Sequence, residues 1–207
     1  MDRRAFEIEA RRKNLTDMFL QLVSEDESFK LAQKTVRDSR NTAGPRYLVG
    51  SFIYKTLIRN LYKPTLERPK EINYVVDRHV QKHDMVIPDR WKIKGNDWGV
   101  PQLCTADRGV VTITTFNSFH FIRDGQSAQR IGSYFNNVPF NLNGIAFDLQ
   151  SDRIIGKQAI NGISEGIFRL SNPEAVKLYV RKNGINNIDE YARYRAESFG
   201  LKYVTSE

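Results

Sequence analysis

The sequence predicts an α+β domain, and three features predict it. Residues 46 to 76 read as a short apolar strand, a small-residue turn, an amphipathic helix, a Pro-punctuated loop and a second strand. Gly109 to Ile122 alternates branched and aromatic residues, the period of a half-buried strand or hairpin. Helical patterns flank these segments on both sides. With 207 residues, 40% of them hydrophobic, the chain is long enough for one domain with a proper core and an appended helical element.

From the N-terminus, residues 3 to 38 carry a helical period with a break near Ser24-Glu25-Asp26-Glu27. Phe6, Ile8, Leu15, Met18, Phe19 and Leu22 form a broad apolar face on the first part. Ser24 and Glu27 have the spacing of a capping box that would open a second helix, Glu25 to Arg37. The basic cluster Arg11, Arg12 and Lys13 is in reach of phosphate, but its ordinary reading is a solvated helix face. Asn41 to Pro45 is a loop.

Tyr47–Val49 is then the first strand, Gly50-Ser51 the turn, and Ile72–Val76 the second strand. On the helix between them Ile53, Leu57 and Leu61 recur at spacing four and should pack on the sheet. Lys55, Arg59 and Lys63 recur at the same spacing on another face. Like charges at that spacing repel by a few tenths of a kcal/mol each. A protein tolerates that cost, so a solvated face and a phosphate-contacting stripe stand level as readings.

Residues 77 to 107 are polar, with Pro88, Gly95, Gly99 and Pro101 as punctuation. His79 and His83 have the i, i+4 spacing of a metal pair, yet no Cys lies near and a solvated segment is the ordinary reading. Trp91 and Trp98 serve equally as core anchors or as base-stacking platforms. In the 109–122 run the bend falls at Asn117-Ser118. Glu174 to Lys182 is a helix stopped by Asn183-Gly184, and Ile188 to Phe199 is a last helix ended by Gly200.

Composition narrows the partners. The net charge of +8 and pI near 9.6 point to a polyanion such as nucleic acid. Cys104 is the only cysteine, so no internal disulfide forms, and a reducing, cytoplasmic compartment fits. Between Leu103 and Thr105 it reads as a small core residue rather than a nucleophile. No apolar run reaches the length of a membrane span, and the N-terminus lacks the apolar region of a signal peptide, so no membrane association is expected.

The motifs of residues 46 to 201, taken in order, resemble the head domain of class II (CCA-adding) tRNA nucleotidyltransferases and bacterial poly(A) polymerases, within the polymerase-β-like superfamily. The resemblance implies a nucleotidyltransferase head with a small mixed sheet over 46–173. An N-terminal helical segment (1–45) precedes it, and C-terminal helices (174–207) resemble the start of a neck, where Arg193 and Arg195 stand in for base-selecting arginines. The family carries Gly-Gly-x-Val-Arg-Asp on the turn, where this chain has Gly50, Ser51, Phe52, Ile53, Tyr54 and Lys55. Its Asp-x-Asp becomes Glu71-Ile72-Asn73. A family Val-Thr-Thr-Phe-Arg strand becomes Ile113 to Asn117, and the Arg-Arg-Asp before its Asn-Ala-Ile-Ala-Tyr-Asp strand becomes Asn137, Val138 and Pro139.

Transfer in this family uses two magnesium ions that stabilise the attacking and leaving oxygens. Two carboxylates at i and i+2 of a strand share a face and can bridge such a pair. Glu71 and Asn73 keep the geometry and lose a charge. The resemblance therefore implies a catalytically degenerate domain, with Glu71 and Asn73 as the degenerate catalytic positions. Gly50, Ser51, Lys55, Arg59, Lys63, Arg193 and Arg195 are its nucleotide- or RNA-contacting residues. The expected partner is RNA, tRNA first, or a protein. No cofactor is expected, and Mg²⁺, with Glu71 as ligand, enters only if the site is active. The alternative is a divergent, metal-dependent nucleotidyltransferase acting on RNA or protein, with Asp77 or Asp148 brought in to help Glu71.

Overall fold

A computed structural model describes residues 3–40, 44–77, 84–95, 101–105, 109–115 and 131–205. The His79/His83 pair, Trp98 and the Asn117-Ser118 bend lie outside the described residues. The elements are α1 (Arg3–Val23), α2 (Glu27–Arg37), β1 (Arg46–Val49), α3 (Ser51–Leu61), β2 (Glu71–Val76), β3 (Lys92–Gly95), β4 (Pro101–Cys104) and β5 (Val110–Thr115). They continue with α4 (Ile131–Asn136), β6 (Ala146–Asp148), β7 (Arg153–Ile155), α5 (Lys157–Glu165), β8 (Ile167–Phe168), α6 (Pro173–Asn183), α7 (Ile188–Ser198) and β9 (Lys202–Tyr203). The α+β class and the mixed sheet expected from the sequence are both present. Among the described residues no helix is long and apolar enough to cross a membrane.

Seven strands form the main sheet in the order β3-β4-β5-β2-β1-β6-β7, and β8 and β9 pair separately. Only the β2–β5 pair in the main sheet is parallel. Alternation along the strands gives the sheet two different faces. One face presents Leu48, Ile72, Tyr74, Val76, Leu103, Val111, Ile113, Phe147 and Ile154, which are buried in the main core. Helices α1, α2, α3 and α5 contribute the other half of that core. The opposite face is covered in part by a smaller cluster of Val49, Val75, Tyr134, Val138 and Ala146.

The N-terminal helices belong to the main core. Phe19 on α1 is fully buried, and its ring meets Phe29 at 5.9 Å, Phe52 at 6.3 Å and Phe147 at 5.5 Å between centroids. Rings at these separations add about 0.5–1.5 kcal/mol per pair beyond their area burial. Ala192, Ala196 and Phe199 of the last helix and its end join the same core. Trp91 is buried there too, so the core reading of that residue is the one the structure takes.

Several local expectations are corrected. Phe6 is 64% exposed, because the buried stripe of α1 runs through Leu15, Phe19 and Val23. Asp26, rather than Ser24, caps α2: its carboxylate accepts from the Phe29 N–H, while the Ser24 hydroxyl donates back to the Gln21 carbonyl. Leu61 does not pack on the sheet. The Tyr62 and Lys63 N–H groups both fold back to the Ile58 carbonyl and Pro64 follows, so α3 ends there and Leu61 turns outward.

One buried polar side chain ties the motif after α4 to the C-terminal half. Asn141 is fully buried, donates to the Ile167 carbonyl at 3.0 Å and accepts from the Arg169 N–H at 3.1 Å. Gly162 on α5 makes room for it, since a Cβ there would lie 2.2 Å from the Asn141 amide nitrogen.

Candidate functional site

β2 places the pair singled out in the sequence, Glu71 and Asn73. Ile72 points into the main core, so its neighbours Glu71 and Asn73 share the opposite face, as period two requires. Glu71 is exposed and Asn73 half-buried. Asn73 lies opposite Val49 on β1 and Thr112 on β5, and Thr112 lies opposite Gln102 on β4. Gln102 donates to the Thr112 hydroxyl at 3.3 Å. Next to Glu71 in the sheet come Val110 and, beyond it, the half-exposed Cys104. This part of the face is therefore a row of neutral polar groups with a single carboxylate at its end.

Asp148 and Asp77, the two carboxylates the sequence offers as helpers, are far from Glu71. Asp148 is level with Tyr47 and hence with Val75, two strands over. Four residues at about 3.3 Å and two strand spacings at about 4.8 Å put it roughly 16 Å from Glu71. Its oxygens are also engaged, one by the Gln150 N–H at 2.9 Å and the other by the Ser151 hydroxyl at 2.7 Å. Asp77 follows the other end of β2, about 20 Å along the strand from Glu71. Two-metal sites hold their ions about 3.5–4 Å apart between shared carboxylates. Among the described residues no group of three or more His, Cys, Asp or Glu side chains could hold a metal. The described donor set does not fit a magnesium pair.

At the turn, Gly50 has φ 76°, a left-handed conformation that favours glycine, and it caps α3 without a side-chain bond. Its N–H donates to the Ile145 carbonyl at 3.2 Å. Ser51 is the first residue of α3. Over this turn lies Tyr134, whose hydroxyl would be 3.6 Å from a Cβ at Gly50 and donates to the Asn143 carbonyl at 3.0 Å. Burial pushes that phenol well above its ordinary value, so it stays neutral and protonated. Tyr134 itself therefore supplies no charge to the turn.

The positions that match the family's cations are placed as follows. Tyr54 is buried, with Phe199 at 5.8 Å. Val138 is buried in the smaller cluster, and the Asn137 amide donates to the Ser133 carbonyl at the end of α4. Of the basic residues, Lys55 is half-buried and Arg59 exposed on α3, whereas Lys63 stands beyond the helix end in the turn before Pro64. Arg59 faces a groove shared with α1 and Arg68, on the helical side of the sheet.

On α7 the two arginines part company. Arg193 is exposed. Arg195 is half-buried, with its guanidinium 4.9 Å from the Phe199 ring centre and 6.0 Å from that of Tyr191. It also bonds the Tyr54 hydroxyl. Burial raises the Tyr54 phenol above its ordinary value, and Arg195 offsets part of that rise. Arg195 thus ties α7 to α3 through the Tyr54 hydroxyl, while its cation–π contacts stay within α7 and its C-terminal cap. Tyr134 and Arg68 are not among the residues that the sequence singles out. The Leu66-Glu67-Arg68-Pro69-Lys70 loop had a basic signal, whereas Tyr134 had none.

No protein-family model matches the sequence, and no curated protein does either. Solved structures do match the fold. A CCA-adding enzyme in complex with CTP superposes with a TM-score of 0.64 at 16% identity, over 93% of this chain and 43% of that one. The Thermotoga maritima CCA-adding enzyme complexed with tRNA gives 0.56 at 17%, over 91% and 42%. The Bacillus stearothermophilus CCA-adding enzyme with CTP gives 0.52 at 16%, over 86% and 41%. This chain spans less than half the length of each. It has the fold of their nucleotidyltransferase head, and at such identity the likeness speaks for fold alone.

Proposed function

We propose that this chain is a nucleotidyltransferase-like domain that does not transfer nucleotides and instead binds RNA, tRNA being the first candidate. One observation carries the loss of transfer: among the described residues no second carboxylate stands beside Glu71 where a metal pair would need one, with Asn73 next to it and Asp77 and Asp148 far off. The neutral groups at Tyr54, Asn137 and Val138 support the same reading, since a triphosphate needs cations around it. The RNA-binding part is supported by the net charge of +8 and by Lys55, Arg59 and Lys63, which make no ion pair among the described residues. Similar folds in the Thermotoga maritima enzyme and in a tRNA nucleotidyltransferase with a primer tRNA were solved with tRNA bound, which makes tRNA the natural probe.

The test is fluorescence anisotropy with labelled tRNA across a salt series. Binding should weaken linearly in log–log form, and changing Lys55, Arg59 and Lys63 together to Gln should flatten that slope by somewhat under one unit per lost phosphate contact. No salt-dependent binding of the wild-type chain to any RNA refutes the RNA reading and leaves a protein partner as the remaining role.

A further inference from the structure

We infer that the groove between the C-terminal end of α1, α3 and residues 64–69 takes a phosphate of single-stranded RNA, on the helical side of the sheet and away from Glu71 and Asn73. This rests on the RNA-binding reading and gives it a location. The groove encloses about 280 Å³. That lies just under the roughly 300–1,000 Å³ usual for drug-sized ligands, a size for one nucleotide unit rather than a cofactor.

The α3 side of the groove is built from Phe52, Thr56, Arg59 and Asn60, which share one helix face by their spacing of four, seven and eight. Arg68 closes it from the loop. Of the three charged groups there, Asp26 is already engaged. One of its oxygens accepts from the Phe29 N–H, and the other takes Arg68 at 3.1 Å. Arg59 makes no ion pair among the described residues, and the Arg68 side chain is still 61% exposed. The groove therefore keeps one uncompensated guanidinium and the outer donors of a second. Paired guanidinium forks match phosphate oxygens in shape and charge.

Thr56 and Asn60 add a hydroxyl and an amide on the same wall, while Leu22, Phe52 and the two prolines supply an apolar bed for a ribose or base. A single strand, whose nucleotides can be splayed out, can lower such a unit into a recess of this volume. Beyond the Asp26–Arg68 pair a neighbouring cavity is lined by Glu25 and Glu27 together with Lys70, so charge of both signs meets there.

Anisotropy of a labelled oligouridylate against salt tests this, using Arg59→Gln, Arg68→Lys and, as a control, Lys202→Gln on β9. Arg59→Gln should weaken binding several-fold and flatten the salt slope by about 0.7, the value for one single-strand contact. Arg68→Lys, which keeps the charge facing Asp26 but loses the fork, should weaken binding with little change in slope. Melting curves check that each variant folds. If the wild-type chain binds RNA and Arg59→Gln behaves like Lys202→Gln, the groove is wrong while the RNA reading stands. If the wild-type chain binds no RNA, that reading fails and this one with it. Arg59-dependent binding of uridine monophosphate, seen by phosphorus NMR without oligonucleotide binding, overturns the assignment to RNA.

Discussion

Replacing Phe19 by Ala is the sharpest test of how the N-terminal helix is joined to the rest. Phe19 is fully buried and touches rings from α2, α3 and β6, so its removal empties the point where four elements meet. A Phe→Ala change in such a core costs about 3–5 kcal/mol, from lost transfer energy and the cavity left behind. For a domain of this size each kcal/mol lowers Tm by roughly 2–4 °C, so Tm should fall by about 6–20 °C. Phe6→Ala on the same helix is the control; Phe6 is 64% exposed and its loss should stay within about 0.5 kcal/mol. Calorimetry and urea denaturation on both variants decide the matter. Equal, small losses for the two would mean that α1 does not pack through Phe19, and the core described above would be wrong.

Asn141→Ala should destabilise by about 2–6 kcal/mol in urea at most, because it strands the part-buried Ile167 carbonyl and Arg169 N–H, each at no more than roughly 1–3 kcal/mol. The Tyr203 phenol is pushed up to about 12, first by desolvation and then by its hydrogen bond to Asp189. Since the folded state favours the protonated phenol, its stabilisation is complete below pH 10 and is lost as pH rises through about 12. Asp189→Asn should bring this titration back towards the ordinary value, followed by tyrosinate absorbance. Tyr179, whose rise comes from burial and its Tyr191 partner, should not move.

Much of the fold is legible in the sequence because local signals agree with the tertiary outcome. β1, α3 and β2 each pair an apolar period with a turn residue at its end, and Gly50 sits where the backbone turns left-handed. β3 and β4 escape because they are four residues each; Lys92 and Lys94 break up one, and the other starts at Pro101. Phe6 and Leu61 mislead for a common reason: helical spacing says which residues share a face, not where the neighbouring element stops covering it. At the site, period two is enough to place Glu71 and Asn73 together. The distance of Asp77 and Asp148 from Glu71 is not legible, since strand register alone sets it. The meeting of Arg59 with Arg68 likewise depends on how the loop after α3 folds back over α1.

The most direct test of the central claim is nucleotide incorporation. Purified chain is incubated with labelled nucleoside triphosphates, magnesium or manganese and tRNA, and in parallel with total cell protein. On the proposed reading, the lack of a second carboxylate beside Glu71 among the described residues and the neutral groups at Tyr54, Asn137 and Val138 would cost several kcal/mol of transition-state stabilisation, each 1.36 kcal/mol being about tenfold in rate. The account predicts no label in RNA or protein above background, with wild type and Glu71→Ala indistinguishable. Incorporation by the wild-type chain that disappears in Glu71→Ala would contradict it and make this domain a working transferase.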